Sequence, residues 1–191
     1  MSNIKHDRTK LVEEATKLFQ KSGFNTGIFS EIEATLGIKR TSIYSAFSNK
    51  EGLLKECLES SISKYEMELI KPLEKDDAGL KEILGFFKQV NKIERATLLF
   101  TIVTSDESLF PEESNKRCDE VVNYMIAKFL QVLKREQKNG VIPKTSKIKG
   151  LSRYLFTTYL SQLMLKRLPS VDQNPRQTIE NLKAYITQDF Q

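Results

Sequence analysis

The chain has 191 residues, 39% hydrophobic and 29% charged, with a formal net charge of +5; it can bury a core and is neither disordered nor fibrous. A single histidine leaves nothing for a His-rich metal site or a Ser-His-Asp or Cys-His arrangement. No phosphate loop or dinucleotide fingerprint appears, so no enzyme, cofactor or metal site is expected. No apolar run is long enough for a membrane span and the N-terminus carries no apolar secretory region, so the expectation is a cytoplasmic protein with no membrane partner.

Leu11, Val12, Ala15, Leu18 and Phe19 recur at helical spacing and predict a first helix from about Asp7 to Ser22, ended by Gly23, with Phe24 folding back onto a small core. Arg8 and Lys5 at its start are phosphate-contact candidates, with simple solvation as the alternative. Phe29, Ile32 and Leu36 predict a short second helix, and Leu36-Gly37-Ile38 supplies the glycine that a sharp turn needs. A third helix from about Lys39 to Phe47 should bury Ile43, Tyr44 and Phe47 and leave Lys39, Arg40, Ser42 and Ser45 outside.

Two short amphipathic helices joined in this way make a helix-turn-helix, whose second helix lies in the major groove with its N-terminal residues at base edges. Arg40, beside Lys39, suits guanine O6 and N7; Thr41 and Ser42 can reach bases or phosphates; Tyr44, Asn49 and Lys50 are the phosphate candidates. Residues 1 to 50 hold eight Lys or Arg against five acids, and residues 36 to 50 hold three bases and no acid. The basic excess therefore lies on the helix expected to meet DNA.

Leu53, Leu54, Cys57, Leu58, Ile62, Tyr65 and Leu69 extend a long fourth helix from near Glu51 to Lys71-Pro72. Residues 74 to 79 read as a loop, 80 to 90 as a helix, 96 to 103 as an apolar helix after a charged break, and 105 to 115 as a loop or frayed turn. A long helix is expected from about Lys116 to Asn139, ended by Gly140. Between Leu151 and Leu168 apolar residues cover most of the helix circumference, which implies burial on several sides and hence a second subunit. With the final stripe Ile179, Leu182, Ile186 and Phe190 this hairpin is expected to pair with its own copy, so Tyr154, Leu155, Leu160, Met164, Ile179, Leu182 and Ile186 are the dimerisation candidates.

A ligand site in the C-terminal part would lie between helices and be mostly apolar. Its candidates are Phe86, Phe87, Phe100, Tyr124, Phe129, Tyr159 and Gln162, with Asn91, Thr101 and Thr104 as further polar groups; core packing is the plainer reading of each aromatic. Acids are sparse in these helices, which argues against a pocket for strongly cationic compounds. Oxidation or alkylation of Cys57 or Cys118 is an alternative trigger.

Arg8, Leu11, Val12, Ala15, Leu18, Phe19, Gly23-Phe24, Ile32, Gly37-Ile38, Ile43-Tyr44, Phe47, Asn49-Lys50-Glu51 and Leu53 together resemble the DNA-binding domain of the TetR family of bacterial transcriptional regulators. The resemblance implies an all-α chain: a three-helix helix-turn-helix domain at 1–50, joined by a long helix to a ligand-binding and dimerisation domain at 51–191. It also implies a homodimeric repressor on a palindromic operator, released by a small-molecule effector, with Tyr44 and Lys50 on phosphates. The chain departs from the family in having Gly27-Ile28 where Thr or Ser usually opens the second helix, so that a cap must come from Thr26 or Ser30 or be absent. It has Glu33 where Ala is common, and Lys39 and Thr41 where a Ser cap and Gly usually open the recognition helix. No base preference is carried over. A helical protein-interaction module, or a regulator whose C-terminal part binds a protein, remains open.

Overall fold

The structure is a computed structural model and describes residues 2–22, 24, 27–93, 97–168, 170 and 174–188, except the side chains of 2–7, 22, 28 and 36. Gly23, Thr26, Pro169 and Phe190 lie outside the described residues, as do the side chains of Lys5 and Leu36. Every regular element among the described residues is helical: α1 (Ser2–Ser22), α2 (Ile28–Leu36), α3 (Arg40–Phe47), α4 (Lys50–Ser61), α5 (Glu68–Ile70), α6 (Leu80–Val90), α7 (Leu98–Val103), α8 (Glu112–Lys138), α9 (Ile148–Leu165) and α10 (Pro175–Thr187). None of them is long and apolar enough to cross a membrane.

The chain folds as two compact units, residues 1–65 with 97–119, and residues 66–96 with 120–191. The expected division at residue 50 differs because Leu53, Leu54, Cys57 and Leu58 of α4 are buried and α4 packs along α1. Those four side chains belong to the same core as the helix-turn-helix. α7 joins this unit too, its first turn capped by Thr97 Oγ1 accepting from Phe100 N–H at 3.2 Å, while buried Ser61 Oγ accepts from Leu98 N–H at 3.3 Å.

In the first unit Ala15 and Phe19 of α1, Phe29 and Ile32 of α2, and Ile43 and Phe47 of α3 are buried. Phe24 folds against Phe19, ring centroids 6.0 Å apart. Arg8 is not presented as a free phosphate contact. Its guanidinium lies 4.3 Å from the centre of the Phe47 ring, donates to Ala46 O at 2.9 Å and pairs with Glu56, tying α1 to α3 and α4.

α4 does not continue as a uniform helix. Residues Ile62–Met67 widen into a π-helical turn before α5, and a 3-10 turn at Lys71–Glu74 carries Pro72 where its missing N–H costs nothing. α8 starts at Glu112, earlier than the expected Lys116, because Pro111 offers its carbonyl to Ser114 and Asn115 N–H and two acids occupy the positive helix end. The span before it holds a 3-10 turn at Glu107–Leu109. Gly140, at φ +78, lets the chain turn away after α8.

In the second unit α6 packs against α9 and α10. Phe86 and Phe129 meet edge to face at 5.0 Å, Phe86 and Tyr159 at 5.6 Å, and Phe87 stacks on Phe129 at 6.1 Å. Each such pair contributes about 0.5–1.5 kcal/mol beyond its buried area.

Candidate nucleic-acid interface

The interface is built on the turn between α2 and α3. Gly37 has φ +64, a conformation only glycine adopts without cost, and its N–H bonds Glu33 O at 2.9 Å, so α2 ends there and the chain re-enters a helix three residues later. α2 starts behind Gly27 with no side-chain cap, and Ser30 lies within the helix.

α3 buries Ile43 and Phe47 and exposes Lys39, Arg40, Thr41, Ser42 and Ser45 together on its outer side. Tyr44 does not join the buried stripe, as its periodicity implied. It is 42% exposed, with its ring edge-on to buried Phe29 at 5.0 Å. Its hydroxyl end thus stands on the same surface as the basic residues. The exposed Arg40 guanidinium lies over the Phe29 and Tyr44 rings, 5.5 and 6.0 Å from their centres, a contact that favours one placement of a long side chain.

The corner between α3 and α4 sets the last two residues. Ser48 has φ +65 and Asn49 N–H bonds Phe47 O at 2.7 Å, a tight γ-turn. Asn49 Oδ1 caps α4 by accepting from Gly52 N–H at 2.7 Å. Lys50 Nζ lies 3.7 Å from the centre of the Phe24 ring, and burial lowers its pKa. Lys50 is therefore half-buried beside the exposed side of α3.

Of the residues expected at a ligand site, Phe86, Phe87, Phe129 and Tyr159 form the aromatic core of the second unit. Gln162 lies one turn from Tyr159 on α9, 8% exposed, with both side-chain amide atoms lacking a hydrogen-bond partner. Phe100 is buried on α7 in the first unit. Tyr124 is on the surface, 39% exposed, its hydroxyl donating to Glu74. Thr101 and Thr104 bond carbonyls of their own helix. The sequence reading passed over Glu66, which is fully buried and accepts from Tyr159 Oη at 3.0 Å. Its position in the stripe gave no signal, because the π turn shifts the register that the 3.6-residue period assumes.

The dimerisation candidates divide. Leu155, Leu182 and Ile186 are buried within their own unit and Leu160 and Ile179 are half-buried, whereas Tyr154 and Met164 are exposed by 44% and 59%. Leu165, Leu168 and Tyr185 are also exposed, and the Tyr154 and Tyr185 rings pair at 4.8 Å across α9 and α10. α9 thus buries one side, and the apolar remainder that the sequence assigned to all-round burial lies open.

Cys57 is completely buried, its thiol 3.5 Å from Val12 O, and desolvation pushes its pKa up to about 12; Cys118 is 1% exposed. At neutral pH the Cys57 thiol is therefore held in its unreactive protonated form. A thiol reagent is expected to leave both cysteines unmodified in the native protein and to label them on denaturation; rapid labelling of the folded chain would restore the cysteine trigger.

Known proteins resemble this chain in sequence over the helix-turn-helix and in fold over most of its length. The family model "Bacterial regulatory proteins, tetR family" matches residues 11–57. Among solved structures, a TetR transcriptional regulator from Chloroflexus aurantiacus J-10-FL aligns with a TM-score of 0.82 at 21% identity, covering 98% of each chain. NemR of E. coli, in its reduced form, aligns at 0.71 and 21% identity, covering 94% of this chain and 95% of its own. A cysteine-substituted form of the TetR family regulator CifR, complexed with 26-bp double-strand operator DNA, aligns at 0.74 and 14% identity, covering 91% of this chain and 93% of its own. None of the curated proteins matches the chain. Residues 11–57 thus match the tetR family model of bacterial regulatory proteins, and the all-helical fold around them is that of these solved TetR regulators.

Proposed function

We propose that the protein is a cytoplasmic homodimeric repressor that binds a palindromic operator through α3 and leaves it when a small, mostly apolar effector occupies the second unit. The observation that carries the DNA-binding part is the acid-free outer side of α3, with Arg40 steadied over Phe29 and Tyr44 and Tyr44 itself exposed. Two-fold pairing through Tyr154, Met164, Leu165, Leu168 and Tyr185 would place two such helices on two half-sites. The effector reading rests on the aromatic group around Phe86 and on buried Gln162, whose amide has no protein partner. Moving the equilibrium from mostly DNA-competent to mostly incompetent takes about 5.5 kcal/mol of differential affinity, within reach of an apolar molecule buried in one state only.

Two substitutions separate base reading from backbone contact. Arg40→Ala should change which sequence is preferred, at a cost of about 1–3 kcal/mol for the best site. Lys50→Ala should weaken all sequences about equally and reduce the salt slope by about one. Binding selections and salt titrations on both variants check this; an Arg40→Ala variant that behaves like Lys50→Ala would remove Arg40 from base reading.

A further inference from the structure

The first N–H groups of a helix lack intrahelical partners and usually take a Ser, Thr, Asp or Asn cap from the preceding residue. α3 follows Lys39, whose ammonium can only donate and which forms no side-chain cap. The acceptor comes instead from α2: Glu33 Oε1 takes the Arg40 N–H at 2.6 Å. The backbone oxygen of the same residue takes the Gly37 N–H at 2.9 Å. Glu33 therefore bonds the end of one helix and the start of the next, closing the helix-turn-helix from both sides. The device recurs at α6, where Gly79 offers no side chain and Glu136 Oε2 takes the Leu80 N–H at 2.9 Å.

At α3 the location adds a consequence. An open helix N-terminus is an anion site that a DNA phosphate of any sequence can occupy. Glu33, half-exposed and forming no ion pair with Lys39 or Arg40 among the described residues, fills that position with the protein's own carboxylate. We infer that Glu33 is a positioning and specificity-determining residue. It holds the N-terminal turn of α3 so that Arg40, Thr41 and Ser42 meet base edges together, and its charge denies the helix end to phosphate. Binding must then be earned by side-chain contacts to bases, which raises the ratio of specific to non-specific affinity.

The inference rests on the proposed DNA reading, so its test begins with duplexes selected by the unsubstituted protein from random-sequence DNA. Specific and non-specific affinities are then measured across a salt series for Glu33→Ala and Glu33→Gln. Glu33→Ala removes both the cap and the charge; it should bind non-specific duplex more tightly, steepen its salt slope by about one, and lose tenfold or more in discrimination. Glu33→Gln keeps an acceptor oxygen; it should retain the selected sequence while its non-specific affinity rises. A role in stability alone would lower both affinities together and leave the slopes unchanged. Wild-type discrimination and slope in Glu33→Ala, or wild-type non-specific affinity in Glu33→Gln should the alanine variant not fold, would overturn the inference. Failure of the unsubstituted protein to select any sequence would instead overturn the DNA reading itself.

Discussion

Gly52→Ala is expected to destabilise the first unit by about 2–4 kcal/mol and to abolish specific DNA binding. Gly52 is the third residue of α4, a position where alanine ordinarily gains about 0.5–1 kcal/mol through helix propensity. Here a Cβ would lie 2.2 Å from Phe47 O, a backbone atom that cannot swing aside. That carbonyl also accepts the Asn49 N–H in the γ-turn between α3 and α4. Relieving the overlap means pulling the end of α3 away from α4, which moves Tyr44 and Ser45 and breaks the Asn49 cap. Gly85, inside α6, has nothing within 4 Å of its would-be Cβ, so Gly85→Ala should be neutral or stabilising. Thermal unfolding of the two variants gives opposite shifts on this account; equal shifts would mean that the close approach at Gly52 is not what the corner depends on.

The second large effect is expected at the exposed face of α9. Tyr154→Asp combined with Met164→Asp should leave the individual chain folded, because both side chains stand largely outside its own core. The same charges placed in a subunit interface would be desolvated without partners and should disperse a dimer. Loss of paired binding then lowers operator affinity by about 10²-fold or more, since each half-site must be bound independently. Light scattering and circular dichroism decide the matter: a folded monomer is expected, and an undisturbed dimer would place the interface elsewhere.

Much of this was legible in the sequence, and the gaps have identifiable causes. The periodic stripes of Leu11 to Phe19 and Leu80 to Val90 located their helices, and Gly37 located the turn, because burial of one helix face and a left-handed backbone each leave a local mark. The spacing of Tyr44 is that of a core residue, but its ring lies edge-on to Phe29 with its other side exposed. The acid-free count over residues 36 to 50 missed Glu33, which lies outside that window in sequence and at the start of α3 in space. Glu66 escaped for a related reason, since a π turn alters which residues face inward. Leu155, Leu182 and Ile186 were grouped with Tyr154 because composition reports that a helix is apolar all round but not which side its own unit covers.

Under the proposed function two copies of this chain read DNA sequence together. The measurement that tests it most directly is selection of bound fragments from sheared source-genome DNA by the purified protein at near-physiological salt, where non-specific charge attraction is weak. A small set of fragments sharing an inverted repeat, each half contacted by one α3, is expected. Recovery of no preferred sequence by protein shown to be folded and dimeric would contradict it.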